Sequence, residues 1–252
     1  KGISLQILKN MISKEFQQLF ESLSHNRDRS AVFIDFMDYC LYILFFGLIR
    51  EEYIELKKKY KEKDLTVFRR LLDIVAEQSE GFTDVLGEVF MQFVSHGHNG
   101  QFFTPTHVSD LMATISNCEE LQSDQTVCDP ACGSGRMLLS AVKCFTQKDK
   151  NIRPHCYGAD IDLLCVKMSV INMVLNSIPG EIAWMNTITM EHWRSYHIEL
   201  MLICGIWFPS LKVTGAGETN FIERIKNTME EKPEMVEIIK EKVESRQLTF
   251  DF

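Results

Sequence analysis

Apolar positions along the first 95 residues recur with a helical period. In LQILKNMISKEFQQLFESL, Leu5, Leu8, Ile12, Phe16, Leu19, Phe20 and Leu23 fall on one face of a helix. The same spacing returns from Ala31 to Tyr60 around a much more apolar middle, and LTVFRRLLDIVAEQ, starting at Leu65, predicts a third helix. No strand-like alternation interrupts these patterns. The longest nearly unbroken apolar run, YCLYILFFGLI over 39–49, falls short of the roughly 18 residues that cross a bilayer, so it reads as a core helix.

From Asn99 onward short β-branched or apolar runs alternate with helical patterns, the signature of βαβ units and a mainly parallel sheet. The pattern predicts a first strand at Thr126 to Cys128, a helix from Arg136 to Phe145, a second strand around Cys156 to Ala159, and a helix from Leu163 to Asn176. In that last helix Leu164, Met168, Ile171 and Leu175 line one face, and Pro179 and Gly180 end it. Glu181 to Met185 reads as a third strand and Leu200 to Trp207 as a fourth. A Gly-containing turn, VTGAGE, follows, then a charged helical stretch from about Asn220 to Glu244, then QLTFDF as a final strand. The expected organisation is an α/β, Rossmann-like domain over 96–252, preceded by a helical domain over 1–95.

Composition adds bounds to this picture. The chain has 252 residues, 45% hydrophobic and 25% charged, which is ordinary for a soluble globular protein with one large core. A net charge of −8 argues against indiscriminate nucleic-acid binding and sends any such contact to a local basic patch or a partner. KKKYKEK at 57–63 is the one basic cluster, read as a solvated helix end with a nucleic-acid backbone contact as the alternative. No secretory signal is visible, so a cytoplasmic location is expected, with no membrane contact. The eight cysteines form no Cys-x-x-Cys pair. Those in apolar segments, Cys40, Cys128, Cys144, Cys156, Cys165 and Cys204, read as buried reduced thiols. His96 and His98 in SHGHNG have no third ligand nearby in sequence, so a polar loop is expected there and no metal.

The chemistry concentrates in VCDPACGSGRMLL, 127–139, a glycine turn between a strand and a helix. Such turns let backbone amides and a helix N-terminus approach a ligand beyond the carboxyl ends of the strands, and Gly133 and Gly135 suit that role. A phosphate-binding P-loop needs Lys-Ser or Lys-Thr after its last glycine, and Arg136-Met137 stands there instead. A dinucleotide fingerprint needs a small residue where this chain has Leu138. S-adenosylmethionine is the remaining ligand class.

DPACGSG at 129–135 resembles the cofactor motif of adenine-N6 DNA methyltransferases, and specifically of the modification subunit of type I restriction-modification systems. GQFFTP at 100–105 resembles the segment that these proteins place before their sheet, and YGADID at 157–162 resembles their second-strand acidic motif. The resemblance implies a Rossmann-like, S-adenosylmethionine-dependent methyltransferase fold. The turn residues Asp129, Pro130, Ala131, Cys132, Gly133, Ser134 and Gly135 would surround the cofactor, as would Asp160 and Ile161 after the second strand. Asp160 can accept from both ribose hydroxyls, whereas Asp162 suits a helix N-cap better. Asp129 can face the cofactor's ammonium or stabilise the turn before Pro130. In GQFFTP the resemblance implies that Thr104, followed by Pro105, meets the methionine part and that Phe102 or Phe103 packs on the cofactor, although adjacent phenylalanines also suit a core. Asn186 matches the place where the family contacts the adenine edge, and Asn-Thr after a strand is also a common turn. DNA, a specificity subunit and other restriction-modification subunits are the partners implied.

Methylating an exocyclic amine needs its hydrogens accepted by fixed oxygens and the base flipped out of the duplex. The family uses an Asn or Asp followed by Pro-Pro and an aromatic. This chain has no Pro-Pro; its nearest approach, Trp207-Phe208-Pro209-Ser210, lacks both the acceptor and the second proline, so the catalytic residues are unknown. The roughly 45 residues after the fourth strand are too few for the rest of such a subunit, so a shortened chain is expected. Three readings compete: an active adenine-N6 DNA methylase, a catalytically inactive cofactor-binding or assembly module, and a methyltransferase for RNA or protein.

Overall fold

A computed structural model describes residues 12–45, 50–94, 103–116, 118, 125–147, 153–203 and 206–223. The N-terminal pattern folds into helices as its periodicity predicts, except that the stretch from Ala31 to Tyr60 makes two helices instead of one; Leu5 and Leu8 lie outside the described residues. Helix α1 (Lys14–Ser24) starts where Ser13 Oγ accepts from Phe16 N at 3.1 Å, and it buries Phe16, Phe20 and Leu23. Helix α2 (Arg29–Leu44), capped by Asp28, carries the most apolar run and buries Val32, Phe33, Phe36, Met37, Cys40 and Leu41. Helices α3 (Arg50–Lys59) and α4 (Glu62–Gln78) complete the group. Lys57, Lys58 and Lys59 sit in the last turn of α3, where cations suit the helix dipole; Lys58 pairs with Glu55 and Lys59 with Asp35. That is the solvated helix end expected of the basic cluster. The short helix α5 (Val85–Val89) runs into a π-helical turn, Phe90–Val94.

Helix α6 (Thr106–Ile115) precedes the sheet: β1 (Thr126–Asp129), α7 (Arg136–Thr146), β2 (His155–Asp160), α8 (Leu163–Leu175), β3 (Gly180–Asn186), β4 (Glu191–Ile203) and β5 (Ile206–Thr214). The strands lie in sequence order, β1 to β5. β1, β2 and β3 are parallel, whereas β3–β4 and β4–β5 are antiparallel. The first three strands and their two helices match the expected units to within a residue or two.

The fourth strand does not match. The run from Leu200 to Trp207 is not one strand but the two arms of a hairpin, with 204–205 outside the described residues. Four residues join β3 to β4 and two join β4 to β5, lengths that permit antiparallel pairing and forbid the crossover that a parallel strand needs. The QLTFDF strand, residues 224–244 of the charged helix, and the loop with His96 and His98 lie outside the described residues.

Helices α7 and α8 pack together on one face of the sheet, and α8 contacts α2 and α5 behind it. One continuous core therefore runs from Ile12 and Phe16 through Phe36 and Phe68 to Val166, Ile171, Ile182 and Ile198. Asp38 of α2 and Lys167 of α8 form an ion pair across that junction. The opposite face carries a smaller cluster, Tyr157, Ala159, Ala183 and Met185, plugged by Phe221. Alternate residues of β2 and β3 thus enter different cores, as expected for inner strands covered on both faces. Among the described thiols Cys40, Cys144, Cys156 and Cys165 are buried as expected, but Cys128, on the outermost described strand β1, is exposed. No helix among the described residues is long and apolar enough to cross a membrane.

Candidate functional site

The glycine turn leaves β1 at Asp129 and enters α7 at Arg136. Gly133 and Gly135 have φ of 55° and 84°, left-handed values that a side chain resists. Space forbids one as well: a Cβ on Gly135 would lie 2.6 Å from Ser169 Oγ of α8. The turn is tied to the second strand by Cys132 N donating to Ala159 O at 2.9 Å.

Asp160, at the end of β2, lies against this turn. Its Oδ2 accepts from Gly133 N and its Oδ1 from Asp162 N, both at 2.9 Å. Asp162 caps α8 by accepting from Leu164 N at 2.8 Å, the role that its sequence position suggested. Asp129 Oδ1 accepts from Ala131 N at 3.1 Å, so the turn-stabilising role for Asp129 is present. Burial raises both carboxyls above the usual carboxylate range; the backbone hydrogen bonds oppose this, and at Asp160 the nearby Asp162 and Asp129 add to it. Among the described residues neither carboxylate pairs with a lysine or arginine.

The other expected residues fall around the turn with distinct duties. Phe103 lies over Gly133, its ring 3.1 Å from where a Cβ would stand, and contacts Phe90 at 5.2 Å between centroids, so it joins the turn to the helical core. Thr104 offers its carbonyl to Arg136 Nη1 at 2.9 Å, and Pro105 O accepts the first amides of α6. Pro130 and Ala131 are exposed on the turn. Cys132 is buried, and burial pushes its thiol well up. Ile161 is 59% exposed beside Asp160, its carbonyl accepting from Trp184 Nε1. Asn186 closes the turn after β3, its Oδ1 accepting from Ile188 N and Thr189 N. Phe102 lies outside the described residues.

A cavity of about 540 Å³ opens along the outer side of β1. Thr104, Asp129 and Ala131 line it together with Met112, Cys118 and Met137, which sequence patterns did not mark; Asp160 and Asn186 lie outside it.

Beneath the turn is a buried polar group that no motif marked. Asp84, the N-cap of α5, is 2% exposed. Its Oδ2 accepts from Ser134 Oγ at 2.5 Å and Arg136 Nε at 2.8 Å, and its Oδ1 from Gly87 N and Asn172 Nδ2, each at 2.8 Å. The expected site residue Ser134 therefore turns its hydroxyl inward. Thr83-Asp84 before VLGEV is a recognisable helix-start signal, but only the fold reveals what else that carboxylate holds.

The donor set fits S-adenosylmethionine in character. Two half-buried carboxylates without a cationic partner suit a ligand that brings an ammonium and ribose hydroxyls, and the glycines keep the turn backbone open to close approach. The Trp-Phe-Pro-Ser segment does not join this group. It lies on β5, and Pro209 fits there because an edge strand tolerates a missing amide. Four strand spacings separate β5 from β1, about 19 Å.

The crossover units and the glycine turn define an α/β, Rossmann-like methyltransferase fold. The N-6 DNA Methylase family model matches residues 78–203, half of the chain, and the chain belongs to that family. It is 32% identical over 102 residues to the type I restriction enzyme MpnII methylase subunit of Mycoplasma pneumoniae, a match covering 39% of this chain and 18% of that protein. It is 24% identical over 127 residues to the MjaVII methylase subunit of Methanocaldococcus jannaschii, covering 48% of this chain and 21% of that protein. The chain thus spans about a fifth of the length of these curated relatives. Among solved structures it is similar to one described as a class I S-adenosylmethionine-dependent methyltransferase from Listeria monocytogenes, with a TM-score of 0.47 and 17% identity over 68% of this chain and 53% of that one.

Proposed function

We propose that this chain binds S-adenosylmethionine beyond the carboxyl ends of β1, β2 and β3 and serves methyl transfer to adenine N6 in DNA. The observation that carries the reading is the bond from Gly133 N to Asp160 Oδ2, in which the second-strand carboxylate organises the glycine turn of the neighbouring strand. The lone pairs that Asp160 keeps would accept from the ribose hydroxyls. Asp129 faces the ammonium, the backbone of residues 130–135 borders the methionine part together with Thr104 and Pro105, and Ile161 and Asn186 flank the adenine. Phe103 backs the turn, and Phe102 or Phe103 packs on the cofactor. The bound cofactor supplies an activated methyl group; the chain's part is to hold and orient it and to exclude water. The helical region to about residue 95 and the following domain act as one unit around this site. DNA, a specificity subunit and further restriction-modification subunits are the proposed partners.

A second reading is favoured by one observation. The segment nearest to the family's catalytic motif lies on β5, at the edge of the sheet away from the glycine turn, with no carboxamide or carboxylate in it. The acceptor oxygens then come from elsewhere in the assembly, or the chain is a cofactor-binding module that transfers nothing.

Calorimetric titration of S-adenosylmethionine into the chain and into Asp160→Ala tests the cofactor site. Loss of the charge-assisted bonds should weaken binding by about 1.5 to 3 kcal/mol. No binding by the unmodified chain would overturn the reading. Given binding, transfer of labelled methyl to adenine in DNA supports the methylase, and binding without transfer supports the module.

A further inference from the structure

The segments expected to hold the cofactor lie between 100 and 186, yet two of them, the glycine turn and the Thr104 segment, are tied to a carboxylate from the helical part of the chain. Asp84 receives Ser134 of the glycine turn directly. It receives Arg136, whose Nη1 donates onward to Thr104 O at 2.9 Å. It also receives Asn172 of α8, the helix that follows Asp160, and the same Asn172 Nδ2 donates to Ser134 O at 2.9 Å. Arg136 is 5% exposed and has a second carboxylate, Glu88 Oε1, 2.8 Å from Nη2. Gly87 makes the approach possible: a Cβ there would lie 2.1 Å from Asp84 Oδ2 and 2.7 Å from Ser134 Oγ.

We infer that Asp84 is a positioning residue for the cofactor site, fixing the glycine turn and the Thr104 segment relative to each other through Ser134 and Arg136. It touches no ligand. Its effect on binding rests on the S-adenosylmethionine reading above, whereas its effect on the order of the two segments does not. A buried carboxylate with four donors, one of them a guanidinium, holds a single geometry, since any displacement leaves charges unpaired in a poorly solvated place. The helical region thereby shapes the cofactor site from beneath.

Two variants separate this role from bulk stability. Asp84→Asn keeps the shape and removes the charge. Because it takes from Arg136 one of its two carboxylate partners, a loss of folding would have that cause alone, and the double variant Asp84→Asn/Arg136→Met removes both charges together. Amide hydrogen exchange without cofactor is the first readout. Peptides covering 103–105 and 131–137 should exchange faster in either folded variant, while those of β4 stay as in the unmodified chain. Calorimetry is the second: binding of S-adenosylmethionine should weaken about tenfold or more. Val32→Ala, a cavity in α2 that removes none of the Asp84 bonds, should lower the melting temperature and leave affinity unchanged. Unaltered exchange at 103–105 and 131–137 in a folded double variant would overturn the inference. Unaltered affinity in a chain that does bind would overturn it too. Failure of the unmodified chain to bind would instead count against the cofactor reading, with the exchange result still deciding the role of Asp84.

Discussion

Two buried carboxylates, one on each side of the sheet, are solvated by the protein in different ways. Asp84, under the glycine turn, meets a guanidinium, a hydroxyl, a side-chain amide and a backbone amide. Glu181 of β3, 1% exposed on the opposite face, meets two hydroxyls and a backbone amide, Ser195 Oγ at 2.6 Å, Thr219 Oγ1, and Asn220 N at 3.0 Å, with His197 Nδ1 at 3.5 Å and no lysine or arginine among the described residues. An ion pair ties distant segments through charge, and its failure strands a cation. A cage of hydroxyls and amides pins one short segment, here 219–221, and its failure strands only neutral groups.

The comparison makes unequal losses the first expectation. Asp84→Ala should cost about 3 to 5 kcal/mol, the range for breaking a buried pair from one side. Glu181→Ala should cost less, about 2 to 3 kcal/mol, for a lost charge-assisted set whose donors can in part find water. Urea denaturation measures both, and equal losses would mean that the two carboxylates are held alike.

The same contrast explains what the sequence revealed. The β1–α7–β2–α8–β3 run was legible because its strands are apolar on both faces and its turns carry glycine and proline at the junctions. Strand β4 was not. Its residues on the Glu181 side, Ser195 and His197, are polar because they bond to that carboxylate, so the polar–apolar alternation of EHWRSYHIELMLI does not show which face is covered. In the site, Asp129, Asp160 and the glycines were marked by motif. Asp84 was not marked, since its partners at 134, 136 and 172 lie 50 to 88 residues away in the chain.

Acid should act on the two places unequally. His192 Nδ1 accepts from Gly217 N at 2.9 Å, and its Nε2 lies 2.9 Å from Ser195 Oγ, which donates to Glu181. Burial is the main cause holding its imidazole below the ordinary histidine value. The unfolded chain takes up a proton near pH 6.5, while the folded chain resists until lower pH. The contribution of His192 is therefore complete above that value and is lost as pH falls through the depressed one. Exchange protection at Gly217 and Phe221, corrected for intrinsic rate, should drop between pH 7 and 5, with the Ser134–Arg136 amides changing less. A parallel drop at both places would mean that acid acts on the whole fold.

The smallest effect concerns the carboxylates left without a cation at the site. Asp129 carries a raised pKa, caused first by burial, and makes one hydrogen bond, to Ala131 N. A folded-state pKa above the unfolded one means that ionised Asp129 opposes folding: the penalty is absent below the ordinary Asp value and complete once pH has risen through the raised one. Asp129→Asn keeps an oxygen for Ala131 N and removes the charge. Its melting temperature should therefore exceed that of the unmodified chain slightly at pH 7, and the difference should close as pH falls toward about 4. Affinity for S-adenosylmethionine should fall in the same variant, because the charge that burdens the empty fold is the one that would meet the ammonium. A variant that is neither more stable nor weaker in binding would reduce Asp129 to a turn residue, and Asp160 would then be the sole carboxylate of the site.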